Sequence, residues 1–251
     1  MKKATRSRKK RRGGLKVLLL MTLMVLIGVV FYHSWVFPDD AQEESGSILS
    51  KISLFPKHKA SRVEETVDIL VNKEHLLPSD YVPSDLREVN VEFASYVSGE
   101  RRTMRREAAQ ALEELFRACN EECGLQLVAV SGYRSYRTQE EIYRRRLRES
   151  GAEHVEQYIA RPGASEHQTG LAMDVATRYD TALEDRFADT AEAQWLDEHA
   201  WEYGFILRYP KGGEEETGYA YEPWHIRYVG RENAQEVVSC GMVWESFLKR
   251  V

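Results

Sequence analysis

Two short stretches concentrate the side chains that bind metals. Ser165-Glu166-His167-Gln168-Thr169-Gly170-Leu171-Ala172-Met173-Asp174 holds a histidine and an aspartate, and Glu222-Pro223-Trp224-His225 holds a glutamate and a second histidine. A catalytic zinc takes three protein ligands and leaves a fourth position open for water. Hydrolysis there also needs a carboxylate that reaches the water without binding the metal. His167, Asp174 and His225 can supply the ligands, and Glu222 can supply the base. The helical H-E-x-x-H zinc motif is absent, so any convergence must come from strands and loops. A single histidine on a strand is more often packed or solvent-facing than a ligand, and His33, His58, His75, His154 and His199 take that plainer reading.

The elements around these residues have to bring them together. Leu171 to Thr177 reads as a strand. Alternation puts Leu171, Met173 and Val175 on one face and Ala172, Asp174 and Ala176 on the other. An aspartate between two alanines has room beside it for a metal and a substrate. His167 precedes this strand in a loop that Gly170 allows to turn back, so His167 and Asp174 can converge. Pro223 interrupts the ladder before a strand from Trp224 to Val229, in which His225, Arg227 and Val229 share a face. Glu222 lies beyond that proline and need not obey the alternation.

Elsewhere the pattern predicts a short strand at Ile69-Leu70-Val71 and an extended segment through Pro78 and Pro83. A helix with one buried face is predicted over Arg101 to Cys123, ended by Gly124. A strand follows over Leu125 to Val130, then a charged helix over Arg137 to Glu149 closed by Ser150-Gly151. A long helix over Asp185 to Tyr203, a strand over Phe205 to Tyr209, and terminal helices over Arg231 to Cys240 and Val243 to Lys249 complete the reading. Helices and strands segregate rather than alternate strictly, which predicts an α+β fold with a small, mostly antiparallel central sheet flanked by helices.

The 251 residues suffice for one mid-sized domain with additions. Residues 1–16 carry nine basic side chains and no acidic one, and an almost unbroken apolar run follows over 17–37. About 20 apolar residues span a bilayer, and basic flanks stay cytoplasmic. The run ends in aromatic residues rather than at an A-x-A site, so an uncleaved signal anchor is favoured over a cleaved signal peptide. Residues 1–16 are then a cytoplasmic segment, 17–37 a transmembrane helix, 38–66 a linker, and 67–251 the extracytoplasmic domain. Outside the basic segment, 26 Lys and Arg face 40 Asp and Glu. Such an acidic surface argues against a nucleic-acid partner. Of the three cysteines, Cys119 or Cys123 could bridge to Cys240 in an oxidising compartment, and three unpaired thiols are the competing reading.

Taken in order, the motifs resemble a known family. Ser165-x-His167-x-x-Gly170-x-Ala172-x-Asp174 followed by Glu222-x-Trp224-His225 resembles the zinc D-alanyl carboxypeptidases of the VanY and LdcB type. The likeness extends to Ser131-Gly132-Tyr133-Arg134-Ser135 with Gln139, to Tyr203 through Pro210, and to Leu70-Val71-Asn72-Lys73. It spans about residues 67 to 251, and it implies a hedgehog/D,D-peptidase type of fold with a Zn2+ cofactor. It also implies hydrolysis of the terminal D-alanine of peptidoglycan stem peptides outside the membrane. By that resemblance, His167, Asp174 and His225 hold zinc and Glu222 is the catalytic base. Arg134 binds the substrate's terminal carboxylate, for which a guanidinium fork is suited, with Gln139 and Ser165 as further partners. Trp224 and Tyr133 either line the pocket or simply pack, and Arg137 and Arg144 to Arg146 read as a solvated helix face.

The resulting expectation is a membrane-anchored zinc D,D-carboxypeptidase acting on D-Ala-D-Ala ends. L,D-carboxypeptidase action on stem tetrapeptides is the alternative within the same chemistry. A non-catalytic, zinc-containing wall-binding module is the competing class, against which Glu222 and Arg134 both speak.

Overall fold

The computed structural model describes residues 63–250. The basic segment, the apolar run predicted to be an anchor at 17–37 and the predicted linker up to residue 62 lie outside them. Among the described residues no helix is long and apolar enough to cross a membrane. Within the last residues assigned to the linker, the Glu65 carboxylate already accepts hydrogen bonds from Ser84, and Val63 packs beside Val71, Leu77 and Tyr81.

Strands β1 (Leu86–Glu88) and β2 (Thr103–Arg105) form a small antiparallel pair beside helix α1 (Arg106–Cys123). Then come β3 (Leu127–Ser131), α2 (Tyr136–Tyr158), β4 (Ala172–Thr177), α3 (Ala191–His199), β5 (Phe205–Tyr209), α4 (Glu214–Thr217), β6 (Glu222–Tyr228), α5 (Arg231–Cys240) and α6 (Trp244–Arg250). The main sheet has the order β3-β4-β6-β5, and every pair in it is antiparallel. The fold is therefore α+β with a small antiparallel sheet.

The two faces of that sheet differ in chemistry. Met173, Val175, Phe205, Ile226 and Tyr228 join Ala108, Leu112 and Leu115 of α1 in the main hydrophobic core. Burying such a side chain stabilises the fold by roughly 1.5–3 kcal/mol. On the opposite face, strand alternation places Asp174, His225, Arg227 and Arg208, all of them buried. The first face is apolar, and the second is mixed: beside these polar groups it carries Ile206 in one smaller apolar cluster and Val128, Val130 and Ala176 in another.

Several elements differ from their sequence patterns for identifiable reasons. No strand forms at Ile69-Leu70-Val71; instead the Arg227 guanidinium donates to the carbonyls of Val67 and Ile69, replacing a ladder. Helix α1 begins at Arg106 rather than Arg101, because tertiary pairing takes the backbone before it. Val89 N–H donates to Arg102 O, Gly132 N–H to Arg101 O, and Tyr133 N–H to Thr103 O. Helix α2 is capped by the Ser135 hydroxyl and continues beyond Gly151, where the chain kinks at φ 79° and ψ 170°. Fully buried Val155 anchors the second half. The predicted helix over Asp185 to Tyr203 is divided into a 3-10 turn at Asp185–Asp189, α3, and a second 3-10 turn at Ala200–Tyr203. Thr190 makes the break, since its side chain accepts from Ala193 N–H as a fresh N-cap. All three cysteines are free, Cys119 buried and the other two exposed.

Candidate active site

The register of β4 on β6 sets Asp174 directly opposite His225. His167 arrives from the 3-10 turn Glu166–Thr169 immediately before β4. Gly170 ends that turn at φ 69°, and a Cβ there would lie 2.8 Å from Leu86 Cδ2. The return of the chain that brings His167 to Asp174 therefore requires glycine.

One donor atom from each of His167, Asp174 and His225 lies within 4.8 Å of the others, and all three residues are buried. The two imidazoles use opposite nitrogens. His167 Nδ1 is 2.7 Å from the Gly132 carbonyl. A carbonyl only accepts, so Nδ1 carries the proton and the Nε2 lone pair faces the cluster. Nε2 lies 3.3 Å from Asp174 Oδ2, yet it is buried without a hydrogen-bond partner. His225 presents Nδ1, 3.0 Å from Asp174 Oδ1, while its Nε2 lies 3.3 Å from Glu166 Oε2. The rings meet edge to face at 4.9 Å.

Electrostatics follow from burial and neighbours. Burial, aided by Arg134, pushes His167 down to about 4, so its imidazole is neutral. For Asp174, the charged His225 hydrogen-bonded to it outweighs burial and holds the carboxyl below the usual carboxylate range. Burial also opposes the charged form of His225, but Asp174 and Glu166 override it and raise this histidine to about 9. Glu222 is raised to about 7, chiefly by burial and against the pull of His225, with Asp174 adding to the rise.

Glu222 opens β6, and its Oε2 stands 3.8 Å from His225 Nδ1. It does pair in the sheet, opposite Tyr209, but the β5–β6 register shifts between Leu207 and Tyr209, across from Pro223. This irregularity re-aims the strand end. Arg134 follows β3 and its backbone N–H donates to His167 O. Burial lowers its pKa, while Asp174 and Glu222 act in the other direction. Its Nε is buried without a hydrogen-bond partner.

These groups open into a cleft of about 960 Å3 that also includes Gln139, Ser165 and Trp224 in its walls. Gln139 donates its amide to Ala160 O at 2.7 Å, and its Oε1 is buried and unpartnered. Trp224 does both things open to it, lining the cleft and joining the main core. Tyr133 is buried and is absent from the cleft lining. Arg145 and Arg146 are exposed, as a solvated face would be, but they also border the cleft. The sequence motif that includes Tyr209 gives it no role, yet its ring sits 4.9 Å from that of His225, with Tyr219 behind it. Glu166 and Arg208 likewise stand in quoted motifs without a role. Arg208 sits on the mixed face, and strand alternation could have flagged it.

A sheet face bearing two imidazoles, a carboxylate between them and a second carboxylate alongside is the construction of a metal-dependent hydrolase. Comparisons with known proteins agree and narrow the class. Residues 101–231 match the family model VanY, D-alanyl-D-alanine carboxypeptidase. YodJ of Bacillus subtilis, named as a carboxypeptidase, is 43% identical over 188 residues, covering 74% of this chain and 68% of its own. Among solved structures, the LdcB LD-carboxypeptidase superposes with a TM-score of 0.68 at 44% identity, over 72% of this chain and 85% of LdcB. The vancomycin-resistance D,D-pentapeptidase VanY in complex with Zn(II) gives 0.58 at 32%, over 72% of this chain and 98% of its own. The chain belongs to the VanY family of D-alanyl-D-alanine carboxypeptidases and is a peptidase.

Proposed function

We propose that this chain is a membrane-anchored zinc carboxypeptidase that removes the terminal D-alanine from peptidoglycan stem peptides. The observation that carries this reading is the convergence of three buried donors, a free carboxylate and an open guanidinium in one cleft. The donor set fits zinc, which favours two imidazoles and one carboxylate in a three-ligand catalytic site. The orphaned, buried Nε2 of His167 has the lone pair that such an ion takes. His167 Nε2, Asp174 and His225 Nδ1 would hold the metal. Bound there, zinc supplies a Lewis acid that acidifies water and polarises the scissile carbonyl.

The chain's own groups do the rest. Glu222 takes the proton from the attacking water and returns it to the leaving amine, and a carboxyl raised by burial can do both near neutral pH. Arg134 grips the terminal carboxylate of the peptide through its guanidinium fork. Gln139 Oε1 accepts from a substrate N–H, Ser165 offers a hydroxyl, and Trp224 walls the cleft. Exclusion of water by Tyr209 and Trp224 strengthens each of these electrostatic contacts. The basic segment and apolar run at 1–37 support a single anchor that keeps the domain outside the membrane and near its substrate.

Two substrates share this chemistry. The greater likeness to LdcB than to VanY, in both identity and superposition, favours the L,D reaction on tetrapeptides. The family model's description and the VanY structure favour the D,D reaction on ends in D-Ala-D-Ala. The test is to incubate the zinc-loaded full chain with a stem pentapeptide and the matching tetrapeptide and follow D-alanine by mass spectrometry. Loss from the tetrapeptide establishes L,D action, and loss from the pentapeptide alone establishes D,D action. No loss from either, with zinc bound, would overturn the enzyme reading in favour of a binding module.

A further inference from the structure

Behind the metal cluster lies a second set of charges with no place in the reaction. Glu166 is fully buried, and its Oε1 accepts from two fully buried arginines, Arg208 Nε and Arg227 Nη1, at 2.7 Å each. Its other oxygen, Oε2, faces His225 Nε2. Arg208 also grips the buried Glu245 of α6 through both carboxylate oxygens. Glu245 accepts as well from Asn72 Nδ2, and Arg227 reaches the carbonyls of Val67 and Ile69. Two arginines and two carboxylates thus balance one another inside the protein, and one carboxylate is left touching a metal ligand.

A buried ion cluster is weak evidence for stability, because desolvation offsets much of the attraction. Its geometry has a more specific use here. Imidazole can present either nitrogen to a metal, and the choice is set by the hydrogen bond the other nitrogen makes. A carboxylate at Nε2 keeps a proton there, so the nitrogen free to exchange its proton for a metal is Nδ1, which faces Asp174.

We propose that Glu166 is a positioning residue for the metal site: it fixes the ring and tautomer of His225, and is itself clamped by Arg208 and Arg227, which tie it through Glu245 to the C-terminal helix α6. The inference rests on the zinc reading above. It assigns metal affinity to the Glu166 contact with His225, while the link through Arg208 to Glu245 anchors the clamp to α6.

The test compares two full-chain variants that damage the same buried arginine. Glu166→Gln removes the carboxylate at His225, whereas Glu245→Gln removes a carboxylate from Arg208 and leaves the His225 contact in place. Outer-shell partners of metal ligands typically change affinity by about 10–100-fold, so Glu166→Gln should weaken zinc binding, read by chelator competition, by that much and Glu245→Gln by less than about threefold. Both should lower the melting temperature of the zinc-free chain. If Glu166→Gln leaves zinc affinity unchanged, or the two variants weaken it equally, the positioning role is wrong and the cluster is only structural. If Glu166→Gln fails to fold, the charge-balanced Glu166→Gln/Arg227→Gln chain takes its place with the same expectation. Independently, NMR of the zinc-loaded wild type should show His225 protonated at Nε2, and a proton at Nδ1 would overturn the proposal. Failure of the wild-type chain to bind zinc would instead sink the zinc reading.

Discussion

Replacing Gly132 by alanine should damage both the fold and the metal site. Gly132 follows β3, and a Cβ there would lie 2.5 Å from Thr103 O and 3.0 Å from both Arg101 O and Met173 Cε. Neither carbonyl is free to retreat, since Arg101 O accepts from Gly132 N–H and Thr103 O from Tyr133 N–H, at 2.8 Å each. Relief requires the end of β3 to lift from β2. That sacrifices one or two hydrogen bonds worth about 1 kcal/mol each and adds an overpacking cost of about 1–3 kcal/mol. The expected loss is then about 2–5 kcal/mol, or roughly 5–15 °C of melting temperature for a domain of this size. The same shift moves the Gly132 carbonyl that holds His167 Nδ1, so zinc affinity should fall about tenfold or more. Gly124→Ala is the control. Gly124 has φ 67° at the end of α1, with open space around its Cβ position. It should cost only about 1–2 kcal/mol of backbone strain and leave zinc affinity intact. Thermal unfolding and chelator competition on both variants decide the matter. A Gly132→Ala chain as stable as Gly124→Ala, or destabilised with unchanged zinc affinity, would refute the reasoning.

Two further outcomes follow from the site's electrostatics. In the metal-free protein His225, raised to about 9, is charged at neutral pH, and Glu222, raised to about 7, is partly protonated. Zinc binding should therefore release roughly one to one-and-a-half protons at pH 7, measured by calorimetry in buffers of different ionisation enthalpy. The sign is fixed by His225: its raised pKa stabilises the metal-free fold fully below about 6.5, and this contribution is lost as pH rises through about 9. Arg134→Lys keeps the charge but loses the fork, so kcat/KM should fall by about 10–150-fold, as expected for loss of one charged hydrogen bond. Zinc content should not change, and a peptide amidated at its C-terminus should no longer distinguish the variant from wild type.

The chemistry was more legible than the framework that supports it. The spacing of His167, Gly170 and Asp174 around a strand start, and of Glu222 and His225 around a proline, pointed to residues that the fold does bring together. Alternation on β4 separated the core face from the Asp174 face because strand geometry is local. Helix limits were less legible where tertiary partners compete with local preference. The helical pattern from Arg101 gave way to pairing with β1, and Ile69 to Val71 looked like a strand because its carbonyl partner, Arg227, lies far along the chain. Ser150-Gly151 has the pattern of a helix stop, although glycine equally permits a kink when buried Val155 rewards the continuation. The clamp of Arg208, Arg227 and Glu245 on Glu166 was invisible for the same reason: each contact joins residues that only the folded chain brings near. Lys73, singled out only by resemblance, turns out to donate to Glu156 O and Gly218 O beneath the Tyr219 wall of the cleft.

The most direct test of the central claim is D-alanine release by the zinc-loaded full chain carrying Glu222→Gln, beside the wild type, with zinc content measured on the same samples. Glutamine keeps the shape of Glu222 but cannot take the proton from water, and loss of general-base action removes about 10²–10⁴-fold of the rate. The account predicts that fall in kcat with zinc still bound and peptide affinity little changed. Full activity in the Glu222→Gln chain would contradict it.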